Sequence, residues 1–296
     1  MEKKLSHSLA WVAAVCTVAI WSETFISSKI LLANGMTPAE IFFVRFLLAY
    51  VMIWFFAPKR LFSGSVKDEL NFALLGFAGG SLYFFCENTA LTYSTAANVA
   101  ILVCCSPLLT ALLMAIFYKE ERMNLRQVAG SVTAFIGMAL VVLNGELVLH
   151  LNPLGDLLAF CAAIAWASYS LLLKRVSGRY TPLFVTRKVF AYGLLTILPY
   201  FIFVEPFSID MAVLSRPAVW GNLLYLGSVA SMICYITWNW ATTVIGTVRT
   251  TNLLYFSPFC TMIFAYLILD DRITWMAVAG TAILTAGMVL AVRKKG

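Results

Sequence analysis

The chain has 296 residues, of which 61% are apolar and only 12% charged, and its mean hydropathy is +0.88. Soluble domains sit near 45–50% apolar and about 25% charged, so a soluble enzyme or a nucleic-acid-binding module is excluded and a multi-span membrane protein remains. The net charge of +7 then reflects topology, and no nucleic-acid partner is expected.

A helix needs roughly 20 apolar residues to cross a hydrocarbon core of about 30 Å. The apolar runs predict spans at 9–31, 38–57, 70–91, 96–117, 124–143, 154–174, 182–204, 218–241, 247–268 and 274–292. Alternation in ten-residue units is missing, which argues against a β-barrel. The connections are too short for an extramembrane domain. The expected fold is therefore an all-α integral membrane protein with ten transmembrane helices. Lys3 and Lys4 before an apolar stretch imitate a signal peptide, but the stretch outruns the usual apolar region and lacks a clear small-residue cleavage site. It reads as a retained first helix. With the N-terminus in the cytoplasm, the inward segments carry fourteen Lys and Arg, among them Lys59, Arg60, Lys119, Arg122, Lys174, Arg175 and Arg293. The outward loops carry only Arg216 and Arg272. That asymmetry places both chain ends in the cytoplasm, and the inner (cytoplasmic) membrane is the expected location.

An ionisable group at the centre of a membrane helix costs at least about 2.5–3.5 kcal/mol, so each one calls for a reason. In span one, Glu23 lies about 12 Å from the outer end. Arg45 of span two sits at nearly the same depth, and Glu87 lies a turn inside the outer end of span three. Two readings stand. Either Glu23 and Glu87 face a cavity and bind a proton or a substrate amine, or Glu23 pairs with Arg45 while Glu87 reaches outer water. Asn88 and Asn239 either bind substrate or hydrogen-bond between helices. Asn98 and Arg249 precede two Ser-Pro pairs by nearly the same interval and are expected on the cavity. Pro107 and Pro258 each free a carbonyl one turn earlier, a kink that is either static or used in gating. Arg187 and Lys188 form an inner vestibule attractive to anions, unless, as expected for Lys188, the side chain snorkels to the interface. Of the aromatic set Trp21, Tyr83, Trp166, Trp238, Trp240 and Tyr255, the mid-span Trp21 and Trp166 are the pocket candidates.

The chain repeats itself. Trp21 and Lys29 are eight apart, as are Trp166 and Lys174; Gly76 and Asn88 are twelve apart, as are Gly227 and Asn239. Ser106-Pro107 answers Ser257-Pro258. Val128-Ala129-Gly130 with Gly137 answers Val278-Ala279-Gly280 with Gly287, glycines that would let spans five and ten pack closely. The offset drifts only from 145 to 151. Five spans per unit is an odd number, so the units 9–143 and 154–292 must be inverted, two five-helix repeats around a central cavity. Such repeats with a binding site between them are a recurring plan of secondary transporters. Their two near-equivalent packings offer inward-open and outward-open states.

The run Ala90-Leu91-Thr92-Tyr93-Ser94-Thr95-Ala96-Ala97, then Ser106-Pro107, Lys119-Glu120-Glu121-Arg122 and Gln127-Val128-Ala129-Gly130, resembles the EamA repeat of the drug/metabolite transporter superfamily. The second half, with Ser257-Pro258, Asp270-Asp271-Arg272 and Ala279-Gly280, is similar. The resemblance implies ten helices around a central cavity and export as the common direction. Trp21-Ser22-Glu23-Thr24-Phe25 departs from it, since family members usually carry a small residue where Glu23 stands.

There is no P-loop and no nucleophile elbow, and His7 and His150 lie outside the spans. The seven cysteines sit in apolar runs without disulfide or zinc spacing. No catalytic residue, metal or cofactor is expected, apart from a coupling proton. The expected activity is secondary-active export of small metabolites such as amino acids by alternating access, with Glu23 as the titrating group. An uncoupled facilitator, or a carrier of nucleotide sugars or lipid-linked substrates, is the alternative. An intramembrane enzyme would need a nucleophile–base pair or metal ligands at one depth, which are missing; a scaffold subunit would need no solvated cavity, so water accessibility at the cavity candidates Ser168 and Asn239 separates it from a transporter. The expected partners are a small-molecule substrate and the lipid bilayer, with the chain a monomer or a weak homodimer.

Overall fold

The computed structural model describes residues 2–56, 61–94, 96–118, 124–143, 152–257, 259–260 and 274–292. Every regular element among them is helical. Helix α1 runs over Glu2–Ser22 and Thr24–Ala33 with a break at Glu23, and α2 is Pro38–Ile53. Helix α3 spans Val66–Tyr93, and α4 joins Ala96–Val103 to Ser106–Phe117. Helices α5 (Leu125–Leu143), α6 (Pro153–Val176) and α7 (Pro182–Phe203) follow. Helix α8 is Pro217–Ile245. Helix α9 (Thr247–Asn252) tightens into a 3₁₀ turn, Leu253–Phe256, and α10 is Trp275–Val292.

Among these, α1, α3, α4, α6, α7 and α8 have the length and apolarity to cross a membrane, whereas α5 and α10 carry shorter apolar stretches. Helix α2 has only 16 residues, ending before the expected limit. The expected ninth span continues beyond residue 260, outside the described residues. The architecture is thus a multi-pass helical bundle with rods of unequal length. Its outer surface is apolar: Leu70, Leu112, Ile116, Leu195, Ile202 and Phe203 are all exposed, as suits a body solvated by lipid. The polar groups Asn88, Thr110, Ser131, Thr186, Ser231 and Asn252 are buried instead.

The helix starts follow from local chemistry. Thr37 accepts from Glu40 N while Glu40 accepts from Thr37 N, a capping box with Pro38 in the first turn. Ser65, Asn152 and Thr181 each accept one backbone N–H at the start of α3, α6 and α7. Gly246, at φ +100°, turns the chain between α8 and α9, a conformation that side-chain-bearing residues rarely adopt.

Two polar seams tie the ends together. At one end of the bundle, the other oxygen of Glu40 accepts from Ser208 N at 3.0 Å, and Arg216 donates to Asn34. At the other, Asp68 at the start of α3 accepts from Arg179 and Tyr180, both at 2.6 Å. That bond holds the Tyr180 phenol above its usual pKa range. At the next residue of α3, Glu69 accepts from Lys188 at 2.8 Å and from Tyr192. Lys188 does not snorkel. Its side chain is only 6% exposed and is held by Glu69 at 2.8 Å. Arg187 is also buried, stacked over Trp54 and Phe184 at 5.1 and 5.3 Å. Neither builds an open basic vestibule.

Two features recur at the interval seen in the sequence. Helix α3 widens into π-helical turns over Phe77–Leu82 and α8 does so over Tyr225–Ile233; the last residues, Leu82 and Ile233, are 151 apart. Helices α5 and α10 meet through reciprocal glycines. A Cβ on Gly130 would strike the Gly287 carbonyl, and one on Gly137 would strike the Gly280 carbonyl. The close packing expected of these four glycines is present.

Candidate functional site

A cavity with an empty volume of about 580 Å³, mouth included, opens between α1, α2, α3, α4, α6, α8 and the 3₁₀ turn after α9. Its wall contains residue pairs 151 apart in the sequence: Phe84 and Tyr235, Val103 and Leu254, Ser106 and Ser257. Trp21 and Trp166, 145 apart, complete the series and meet edge to face with ring centroids 5.3 Å apart. Tyr83 tilts against Trp166 at 5.1 Å, and Tyr235 stands 5.9 Å from Trp21.

These aromatic groups also hold the π-helical turns. Trp21 Nε1 donates to the Ala230 carbonyl at 2.8 Å, and Tyr235 Oη donates to the Gly79 carbonyl at 2.6 Å. Gly79 and Ala230 are again 151 apart. A π-helical stretch departs from the usual i→i−4 bonding, and here a side chain from the cavity wall reaches the carbonyl in each one.

Two charges interrupt the apolar wall. Arg45 is buried; its Nε donates to Ser231 at 3.0 Å, its guanidinium lies 4.2 Å over the Phe84 ring, and its Nη1 is buried without a partner. Glu87 is buried as well and accepts from Tyr83 at 2.6 Å. Among the described residues no ion pair joins Arg45 to Glu87 or to Glu23.

The other expected site residues distribute as follows. Glu23 occupies the break in α1, between the wall residues Trp21 and Thr24, but does not itself line the cavity; its Oε1 is buried without a partner. The break is reinforced by Thr24, whose hydroxyl takes the Trp21 carbonyl. Asn88 reaches the Pro38 carbonyl at 3.4 Å. Asn239 accepts from Tyr169 at 2.6 Å and donates to Thr186 at 2.9 Å. Both asparagines therefore bond between helices and stand off the wall. Ser168 bonds back to the Ile164 carbonyl, and Arg249 is half-buried on α9; neither lines the cavity. Pro107 is buried just after the Cys104–Cys105 interruption of α4. The Asn98 side chain and Pro258 lie outside the described residues.

Sequence reasoning passed over Arg45 as a site residue and missed Tyr235 and Phe84. The repeat gave no pointer to the tyrosine: Tyr235 shares a face of α8 with Asn239, which stands off the wall. Asn239→Ala would leave the buried Tyr169 hydroxyl without its partner. It is expected to lower stability by about 1–3 kcal/mol, read as a fall in melting temperature of the detergent-purified protein.

Residues 8–143 and again 153–293 match the EamA-like transporter family. The chain belongs to that family. A protein of Archaeoglobus fulgidus named "Uncharacterized transporter" is 29% identical over 94% of this chain and 96% of its own length. The "Probable amino-acid metabolite efflux pump" of Escherichia coli is 27% identical, covering 94% of this chain and 93% of its own. The "Probable terminal-alkyne amino-acid exporter" of Streptantibioticus cattleyicolor is 27% identical over 98% and 95%. A solved crystal structure shares the fold with a TM-score of 0.75 at 18% identity, covering 95% of this chain and 96% of that one. This is a multi-pass membrane transporter of the EamA family, and the family and the names of its relatives point to transport rather than to enzyme chemistry.

Proposed function

We propose that the transporter is a secondary-active exporter of small metabolites, of the amino-acid type, and works by alternating access. The two units, 9–143 and 154–292, are taken as inverted five-helix repeats of a ten-helix protein, with both ends in the cytoplasm and the inner membrane as its site. The observation that carries this reading is the cavity wall, where residues 151 apart face one space from both halves of the chain. Two like units sharing a site can rock between two equivalent packings. The π-helical turns and the break at Glu23 supply places where α1, α3 and α8 can bend. The names of the Escherichia coli and Streptantibioticus relatives support the substrate class.

In this reading Glu23 carries the coupling proton. Efflux from proteoliposomes under an imposed pH gradient tests it: the wild type is expected to follow the gradient, and Glu23→Gln to lose that dependence. Unchanged gradient-driven transport in Glu23→Gln removes the proton role. An uncoupled facilitator is the second reading, favoured by the position of Glu23 off the cavity wall. It requires equal rates in the wild type with and without the gradient.

A further inference from the structure

Symmetry within the cavity separates what the scaffold needs from what it does not. Positions 151 apart carry like residues on the wall: ring faces ring at Phe84 and Tyr235, and serine faces serine at Ser106 and Ser257. Glu87 breaks the pattern, because the position 151 further on is Trp238, which is buried and apolar. Arg45 breaks it too. Pro38 and Pro182 open α2 and α7, and the same interval of 144 sets Val189, also buried, against Arg45. A helix in either place can therefore be packed without a charge, and a buried charge without a full partner is costly.

Neither charge is fully used by the protein. A guanidinium has five N–H donors. Arg45 sends Nε to Ser231 and its face to Phe84, and its Nη1 is buried beside the cavity with nothing to receive it. Glu87 stands on the same wall, steadied by Tyr83, without closing on Arg45. Two opposite charges on one apolar, aromatic wall, not joined in an ion pair, are complementary to a molecule with both charges and an apolar body.

Resting on the transport reading above, we propose that Arg45 and Glu87 form a clamp for zwitterions. Arg45 takes the substrate carboxylate and Glu87 takes its ammonium group, while Trp21, Trp166 and Tyr235 receive an apolar or aromatic side chain. The substrate class is a free α-amino acid with both charged groups unblocked. Amides, esters, simple amines and deaminated acids leave one buried charge unmet and are rejected.

The test is a ligand ladder on the purified full-length protein, read by the fluorescence of its tryptophans. The probes are phenylalanine, phenylalaninamide (no carboxylate) and 3-phenylpropanoate (no ammonium). The wild type is expected to bind phenylalanine at least tenfold more tightly than either analogue. Arg45→Met is expected to make phenylalanine and its amide equal, Arg45→Lys to restore part of the difference, and Glu87→Gln to make phenylalanine and phenylpropanoate equal. If a variant fails to fold, the wild-type ladder decides alone. Equal affinity for the three probes, or binding of none while efflux of another metabolite proceeds, overturns the clamp and leaves the transporter reading standing. The expected ladder without any efflux from proteoliposomes upholds the clamp and removes the transport reading.

Discussion

Gly137→Leu is expected to abolish the folded, monodisperse protein in mild detergent, whereas Gly221→Ala is expected to leave it intact. The contrast rests on what each new Cβ meets. At Gly137 it runs into the backbone N and Cα of Leu284 and the Gly280 carbonyl. At Gly221 it meets nothing within 4 Å. Side chains can turn aside for an extra methyl group, typically for about 1–3 kcal/mol. Backbone cannot, so α5 and α10 must separate along the seam. In a membrane their contact depends on close packing of small residues, since lipid is as apolar as the helix surfaces. The reciprocal position offers an internal check: at Gly287 a Cβ meets Ala134 N and Cα and the Gly130 carbonyl. Gly287→Leu should therefore fail in the same way. Size-exclusion profiles of the three variants, side by side, decide the matter. A monodisperse Gly137→Leu protein with wild-type stability would mean that the seam is not a close contact.

The same glycines show what could be read in the chain beforehand. Their repeated spacing was visible, and close helix packing follows from it because glycine in a membrane helix has little other use. The all-helical class was legible for a similar reason: long apolar runs leave helices as the economical way to satisfy the backbone in lipid. Trp21 and Trp166 were pocket candidates through mid-span position, and burial cost left Glu87 either on the cavity or reaching outer water; all three stand on the cavity wall. Asn88 and Asn239 were ambiguous, since an amide serves a ligand or a neighbouring helix equally well. Only the reach to the Pro38 carbonyl, to Tyr169 and to Thr186 distinguishes the two uses. The π-helical turns left no readable trace. Their hydrogen-bond register is set by tertiary partners, Trp21 and Tyr235, that lie far away in sequence. Arg45 was misjudged because depth alone matched it with Glu23, while rotation about the helix axis directs it to Ser231 and Phe84.

The Lys188–Glu69 pair illustrates the same point about partners and carries the second large expected effect. Lys188→Met is expected to destabilise the protein by about 3 kcal/mol, near the lower end for a broken buried ion pair. Glu69 keeps Tyr192 and the Ser63 N–H as hydrogen-bond donors, and its side chain is 18% exposed, so its charge is not wholly stranded. Adding Glu69→Gln to Lys188→Met should recover much of the loss, because the remaining charge is removed with its partner. The neighbouring Arg179–Asp68 pair is the control. It is shorter, at 2.6 Å, but the Arg179 side chain is 57% exposed, and exposed pairs contribute about 1 kcal/mol or less. Arg179→Met should thus shift the melting temperature far less than Lys188→Met, although the two contacts sit side by side on α3. A double-mutant cycle on Lys188 and Glu69, run with Arg179→Met in the same detergent, measures both quantities. Lys188 Nζ also lies 4.8 Å over the Phe62 ring and 5.7 Å over that of Phe184, and equal shifts for the two single lysine and arginine variants would show that this burial does not hold.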